Sequence, residues 1–536
     1  MAALALPIAN ISSPQPEVLI ALSPAHVRCL LLGLGFATGM EFYTFDSVNL
    51  VLPDLTGTLG VSADEASWLL TTYSSALFLG VPVSIWLAGH VGYKRFLIAT
   101  ILAFAAASIG CALSPDLETM LVFRAVQGAA GAGLVVWWRA SIYLLLPKPQ
   151  RSASLMRVST LLYLSSAGGL LASGYLTDHA SWRLIFVPNL LYAAAAISLL
   201  LRYFPTLPKP TGSSAATDWP GIALIALALI SLQVILSRGP IDDWFGSPLI
   251  RLLAWVSAAG FALFVLWQSS KRNLAPLLHL GLLRDRNVMS SALIGVVTGI
   301  ILSGSLYVLP EFLRNIAAQS LSATQTGQVI CVYALAAAAV RPLMVGFVAR
   351  VGQRKAICAA LVILIASMLL FERLLTADTP ASAFYMPLVL YALCLAPLLP
   401  AVGSGTVARV EQQKLLDGVS LYMTFRQFGA SLGVALLTIL LERRETLHSA
   451  RLVEHLRDGG TMTQGWRATV ATILSARGGF SVWEGQHRSL KLLAESTVRQ
   501  AATLAYADAF LFMAAVGVVA LCLVPIIPPT PVAPRP

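Results

Sequence analysis

Charge is what this chain has least of. Asp, Glu, Lys and Arg make up 11% of its 536 residues, where a soluble domain carries about 25%. That shortage excludes a water-facing surface around most of the molecule. The six cysteines, Cys29, Cys111, Cys331, Cys358, Cys394 and Cys522, lie in or beside apolar runs with no paired spacing. They read as small core residues, neither a disulfide framework nor a thiolate metal site. No G-x-x-x-x-G-K-[ST] loop occurs, so ATP is not the expected fuel. Nucleophile elbow and metal-ligand cluster are missing too, so no enzyme chemistry, metal or cofactor is expected. The first residues, MAALALPIANISSPQPEVLIALSP, lack a basic start and are broken by prolines, unlike a secretory leader. Residues 1–27 are therefore expected to form a cytoplasmic tail.

Long apolar runs fill the rest. Hydrophobic residues make up 57% of the chain, and runs of about 20 residues recur from end to end, as a polytopic all-α protein of the lipid bilayer requires. Fourteen runs can be placed. Six lie at Arg28–Pro53, Ala66–Ala88, Phe96–Leu113, Leu117–Leu146, Ser154–Thr177 and Ser181–Phe204. Two follow at Trp219–Ser237 and Leu249–Ser269, after a Pro/Gly/Ser-rich linker. The last six are Val288–Leu313, Gly327–Ala349, Ala356–Leu375, Ala383–Ala408, Val419–Leu441 and Ala501–Ile527. This layout predicts a six-helix bundle over 28–204, a linker with two additional transmembrane helices over 205–287, and a second six-helix bundle over 288–528. A long outer loop is expected at 442–500 and a cytoplasmic tail at 529–536. Helical spacing of Leu447, Leu452, Val453 and Leu456 places a helix at the start of that loop. His448 and His455 read as part of its solvated face rather than as metal ligands.

A repeat supports the two-bundle reading. Ile85–Arg95 reads IWLAGHVGYKR and Val345–Lys355 reads VGFVARVGQRK, with Gly92 and Gly352 separated by 352 − 92 = 260 positions. Lys94 and Arg95 follow the first glycine; Arg354 and Lys355 follow the second. Each turn joins two spanning runs, so each pair of helices must be antiparallel, and a glycine permits the tight reversal.

The formal charge of +11 does not form a nucleic-acid-binding face, because the cations sit in short loops. With the N-terminus inside, the inner loops and helix ends hold Lys94, Arg95, Lys148, Arg151, Arg202, Lys209, Lys271, Arg272, Arg284, Arg286, Arg350, Arg354, Lys355, Arg409 and Lys414. The short outer loops hold only Arg183, Arg238, Arg314 and Arg373. Fifteen cations against four place both termini in the cytoplasm by the positive-inside rule.

Ionisable groups at membrane depth are costly and so are functional candidates. Glu41 and Asp46 stand in the first run; at 100° per residue they lie about 140° apart, whereas Asp46 and Asn49 share a face. A carboxylate in a low-dielectric cavity holds and releases a proton near neutral pH, or else it is locked in a structural ion pair. Arg124 in the fourth run needs a partner, and Glu41 is the expected one. Arg341 is the foremost cation of the second half, with Arg426 and Asp508 behind it. Trp137, Trp138 and Arg139 are expected to anchor at the interface. Gly168, Gly169 and Gly174 supply close helix contacts.

In order and spacing these features resemble the major facilitator superfamily, and more narrowly its fourteen-helix drug:proton antiporter branch. Leu87, Ala88, Gly92, Lys94 and Arg95 match that superfamily's cytoplasmic loop motif; Gly89 and His90 stand where it usually has aspartate and arginine. Arg124, Gln127 and Gly128 match its fourth-helix motif, and Asn49 and Pro53 the end of its first-helix motif, whose aspartate aligns nearer Thr44. AGGLLASGYL (Ala167–Leu176) resembles the antiporter glycine motif, with Leu170 and Ser173 in place of a proline and a glycine. SWRLIFVPN, DWPG at Asp218, DDWFGS at Asp242, PLLHLGLLRDR and FRQFGASLGVA (Phe425–Ala435) resemble branch motifs further on. The resemblance implies two bundles rocking about a central cavity. It also implies proton-coupled export of small amphipathic compounds from a bacterial inner membrane, with Glu41, Asp46, Asn49, Arg124, Gln127 and Arg341 coupling protons or binding substrate. A periplasmic adaptor protein is a possible partner. An importer or facilitator on the same fold, or a receptor or scaffold without transport, are the alternatives.

Overall fold

The computed structural model describes residues 23–206, 218–239, 242–273, 276–278, 280–316, 321–407, 415–457, 461–478 and 480–527. The N-terminal tail to residue 22, Lys209, Arg409, Lys414 and the final tail lie outside the described residues.

Among the described residues there are fifteen α-helices and no strand. They are α1 (Pro24–Leu59), α2 (Ala63–Val91), α3 (Tyr93–Leu113), α4 (Leu117–Leu145), α5 (Lys148–His179), α6 (Pro188–Tyr203), α7 (Trp219–Arg238), α8 (Pro248–Gln268), α9 (Arg286–Glu311), α10 (Ala323–Val351), α11 (Gln353–Leu374), α12 (Tyr385–Val407), α13 (Leu415–Arg457), α14 (Thr461–Gly478) and α15 (Val482–Leu523). A chain this apolar in hydrocarbon must satisfy its backbone groups within each segment, which a helix does. Among the described residues 13 helical spans are long and apolar enough to cross a membrane. Helix α1 is not one of them, because Glu41, Thr44, Asp46, Ser47 and Asn49 interrupt its middle. It nevertheless packs against α4, α5 and α6 as a member of the bundle. The protein is multi-pass.

The internal repeat extends well beyond the glycine turns. Helices α2 and α10 are both 29 residues long, and both open on a capping box, Ser62 with Glu65 and Ser322 with Gln325. Both carry a proline at the same register, Pro82 and Pro342, and both end at a glycine with positive φ, 97° at Gly92 and 86° at Gly352. A side chain with a Cβ is strained in that conformation. All these pairs keep the same spacing, as 322 − 62 = 260 and 342 − 82 = 260 show.

Within the first half α2 packs on α4, and α3 on α4 and α6; within the second, α9 packs on α12 and α13, and α11 on α12 and α15. Between the halves α5 pairs with α10, and their counterparts α13 and α2 pair in turn. Helices α7 and α8 form a hairpin packed on α2 and α13. Asp218 pins it: its carboxylate accepts from the Gly221 N–H (2.9 Å), Trp267 Nε1 (2.6 Å), Gln268 Nε2 (2.6 Å) and Asn273 Nδ2 (2.9 Å).

The stretch expected as a long loop at 442–500 is instead largely helical. Helix α13 has 43 residues and α15 has 42. At 1.5 Å per residue each is about 65 Å long, roughly twice the hydrocarbon thickness of about 30 Å. Both run on past the apolar layer, with α14 packed on α15. The spanning runs end at residues 441 and 501, but the helices continue as polar ones. His448 Nε2 meets Asp508 Oδ2 at 2.8 Å, and Arg444 lies 3.5 Å from the same oxygen, which ties the two projecting helices together. His455 bonds the Arg451 carbonyl of its own helix.

Candidate functional site: two buried carboxylates at the seam between the halves

Glu41 and Asp46 are both buried on α1, at 8% and 5% exposure, and they belong to different networks. Glu41 Oε1 accepts from the Tyr73 hydroxyl of α2 at 3.4 Å. The Arg124 guanidinium lies 4.2 Å over the ring of that same tyrosine. Gly131 leaves room for this arrangement: a Cβ there would stand 3.1 Å from the Tyr73 hydroxyl. Gly128, whose Cβ would meet the Tyr73 carbonyl at 2.3 Å, lets α4 close on α2.

The expected Glu41–Arg124 ion pair is not formed. Tyr73 stands between the two groups, and Arg124 spends its donors on the Leu69 carbonyl (3.3 Å) and Gln127 Oε1 (2.7 Å). Gln127 Nε2 donates to Ser108 Oγ (2.8 Å), as does Asn189 Nδ2 (3.2 Å), and Asn189 is bonded to Thr44 of α1. This chain of contacts runs from α1 through α2, α4, α3 and α6 back to α1. The cation whose field reaches Glu41 is Arg426, on α13 of the other half. Sequence spacing favoured a partner in the same half; the pairing of α2 with α13 supplies one from the other.

Asp46 reaches the second half directly. It accepts from Ser166 Oγ of α5 in a short hydrogen bond, and from the Tyr333 hydroxyl of α10 at 3.5 Å. Ser166 and Tyr333 are themselves 3.0 Å apart. Tyr333 packs edge-on to Tyr163 and Tyr391. Arg341, 2% exposed, lies 4.7 Å over the Tyr163 ring, and its Nε has no hydrogen-bond partner. Asn49 is not drawn into this network; its amide donates to the Phe45 carbonyl of its own helix at 2.8 Å.

A third tie stands towards the end of the bundle away from Gly92. Arg314, just beyond α9, grips Asp54 of α1 with two bonds of 2.6 and 3.0 Å and donates to the Leu50 carbonyl. Nearby, Asp178 of α5 accepts from the Thr324 N–H that opens α10 (2.8 Å). Sequence reasoning passed over Asp54, Tyr73, Ser166 and Tyr333. A carboxylate at a helix end is a weak signal, and tyrosines and serines inside apolar runs give none.

At the turns, Lys94 Nζ donates to the Leu201 and Phe204 carbonyls that end α6 (2.7 and 2.9 Å). In the second half the turn is tied to a different helix: Gln353 donates to the Ala401 carbonyl of α12 (2.9 Å). Arg95 and Arg354 are exposed. Of the three glycines on α5, Gly169 faces the Tyr43 carbonyl of α1 and Gly174 the Ala323 carbonyl of α10, each too close for a Cβ (2.6 and 2.5 Å). Gly168 makes no such contact; the nearest atom to a Cβ there is 3.9 Å away. Trp137 and Trp138 are not interfacial anchors. Both are buried, and Trp137 packs against Tyr93 and Phe96 and donates to the Ser84 carbonyl.

Two helical halves related by a repeat, meeting along α2–α13 and α5–α10 with ionisable groups at the seam, define a membrane transporter fold rather than an enzyme. The sequence profile of the Major Facilitator Superfamily matches residues 34–319, and the chain belongs to that superfamily. Among curated relatives, the probable multidrug resistance protein EmrY of Escherichia coli K12 is 25% identical over 443 residues, 82% of this chain and 84% of the relative. The multidrug export protein EmrB of the same strain is 24% identical over 437 residues, 81% and 84%. Among solved structures, the human organic anion transporter MFSD10 superposes with a TM-score of 0.56 at 13% identity, covering 92% of this chain and all of that one.

Proposed function

We propose that the protein is a proton-coupled exporter of small amphipathic compounds, with residues 28–204 and 288–528 as its two moving halves. The observation that carries this reading is the placement of Glu41 and Asp46. Both are buried on one helix, and each answers to a group on the opposite half: Glu41 to Arg426, Asp46 to Tyr333. Protonating Glu41 removes its attraction to Arg426. Protonating Asp46 turns an acceptor into a donor between Ser166 and Tyr333. Either event alters what holds the halves together, and a substrate that competes for the same groups is thereby linked to the proton. The relatives named for multidrug resistance and export support the outward direction.

In this reading the Gly92 and Gly352 turns face the cytoplasm of a bacterial inner membrane, both termini are cytoplasmic, and α13–α15 project outward. That projection is where a periplasmic adaptor protein would engage. Export is tested in everted membrane vesicles loaded by a pH gradient, following uptake of a fluorescent cationic dye and of an anionic one. Uptake that collapses with a protonophore in the wild type, and is lost in Glu41→Gln at equal membrane abundance, supports the proposal. Downhill movement indifferent to the gradient would instead identify a facilitator, and absence of movement across a broad compound panel a non-transporting protein.

A further inference from the structure

The additional hairpin, α7–α8, leaves a cavity of about 1270 Å³ between itself, α2, α13 and the connector that leads to α9. That exceeds the roughly 300–1,000 Å³ of drug-sized sites. Its walls are apolar: Ile225 and Leu229 from α7, Phe261 and Phe264 from α8, and Phe425 and Phe428 from α13. Phe78 of α2 stacks on Phe428 at 6.4 Å and forms its floor. The cavity is separate from the carboxylate site: its lining contains neither Glu41 nor Asp46, nor their partners Tyr73, Ser166 and Tyr333.

The mouth opens at the exposed apolar surface of α8, a helix apolar enough to stand in hydrocarbon. Val265 lines the cavity and is 48% exposed, and the same helix presents Trp255 and Leu266 outward at 76% and 67%. An apolar space open to the bilayer core is closed to water and fills with hydrocarbon. On α8 the lining runs from Ala254 to Gln268, about 21 Å of helix axis beside a hydrocarbon core about 30 Å thick. One end of the lining is cationic. Arg284 belongs to it, and Lys271, Arg272 and Arg286 adjoin in the chain. Of the carboxylates in the adjoining chain, Asp285 already accepts from the Asn287 and Val288 N–H groups and Asp218 from the hairpin. Gln268 Oε1, at the same end, is buried without a hydrogen-bond partner.

We propose that this cavity is a binding site for an anionic phospholipid, with an acyl chain along the α8–α13 wall and the phosphate held at Arg284. Basic groups between helices at the membrane surface recognise lipid phosphates in this way. The lipid fills the gap between the hairpin and the second half, so that the hairpin rides with the bundles through an apolar, deformable contact.

The test uses the full-length protein in nanodiscs containing phosphatidylglycerol with a photoactivatable acyl chain, with cross-linked peptides mapped by mass spectrometry. Labelling is expected on the cavity faces of α8 and α13. Ala258→Trp, which fills the cavity, lowers it at least five-fold, while labelling of the outward face of α11 around Val362 is unchanged. Arg284→Glu abolishes the preference over an otherwise identical phosphatidylcholine probe. Should Ala258→Trp fail to give monodisperse protein, Ser257→Phe serves as the filling variant. Equal labelling by the two lipids in the wild type, or insensitivity to both filling and charge reversal, overturns the proposal. Displacement of the lipid by an exported compound also overturns it and makes the cavity a transport path. Labelling of Glu41→Gln is expected to equal the wild type, so a failed transport reading and a failed lipid site are told apart.

Discussion

The two halves agree in their scaffold and differ in their interior. Helices α2 and α10 share length, capping box, proline register and a positive-φ glycine. Yet the first half holds a closed polar circuit through Tyr73, Arg124, Gln127, Ser108, Asn189 and Thr44. The second half instead offers tyrosines and arginines to the seam: Tyr333, Tyr391, Arg341 and Arg426. Backbone geometry constrains a repeat wherever a turn must close. Side chains that meet the other half face no such symmetry, because each half presents its groups to a different partner. The two buried carboxylates, Glu41 and Asp46, both come from α1; its counterpart, α9, places Gly295 and Gly299 against α13.

The largest break in this asymmetry is expected from Glu41→Gln. It keeps the shape of the protonated acid but cannot cycle, so pH-driven export in everted vesicles should fall at least ten-fold with abundance unchanged. Asp46→Asn should reduce export less, because Ser166 and Tyr333 still pair with each other. Normal, pH-dependent export by Glu41→Gln would move the coupling role to Asp46.

Next in size are the turns. A valine at φ near +90° is strained by about 1–3 kcal/mol, so Gly92→Val and Gly352→Val should each cut transport several-fold. Gly89→Ala should have little effect, since nothing lies within 4 Å of a Cβ there. Three equal results would show that the turn conformation does not matter to function.

Asp54→Asn removes a partly exposed ion pair, worth no more than about 1 kcal/mol. Its thermal stability should barely change, whereas a cysteine at position 50 should become easier to label from the end of the bundle away from Gly92 as the Arg314 clasp loosens. Unchanged labelling would make the clasp passive.

The smallest effect concerns the hairpin. Burial pushes the Asp218 carboxyl up, but the donors from Trp267, Asn273, the Gly221 N–H and Gln268 outweigh it and hold the pKa below its ordinary value of 3.8. A depressed carboxyl contributes stability above its unfolded value, and that contribution is lost as pH falls through the folded one. Protease nicking around α7–α8 should therefore increase only under strong acid in the wild type. In Asp218→Asn it should be raised at neutral pH and insensitive to acid.

Much of the fold was legible in the chain itself. The length of the apolar runs, their six–two–six order and the glycine turns 260 positions apart suffice for a two-bundle membrane protein, because hydrocarbon thickness and backbone satisfaction leave few options. The buried ionisable residues Glu41, Asp46, Arg124 and Arg341 were also visible, since charge within such runs stands out. Their partners were not. Spacing along a helix says nothing about which helix of the other half will lie opposite, so Tyr73 took the place expected to hold an ion pair, and Arg426 rather than Arg124 is the cation acting on Glu41. Hydropathy likewise marked where the apolar runs of α13 and α15 stop but not where the helices end, because a helix continues past an apolar run wherever its polar residues tolerate helical geometry and a neighbour is there to pack against. Sequence by itself determined what had to be in the membrane and where the chain had to turn. The pairing of α5 with α10 and of α2 with α13 decided which charges meet, since electrostatics in a low-dielectric seam depends on distance across the fold and not along the chain.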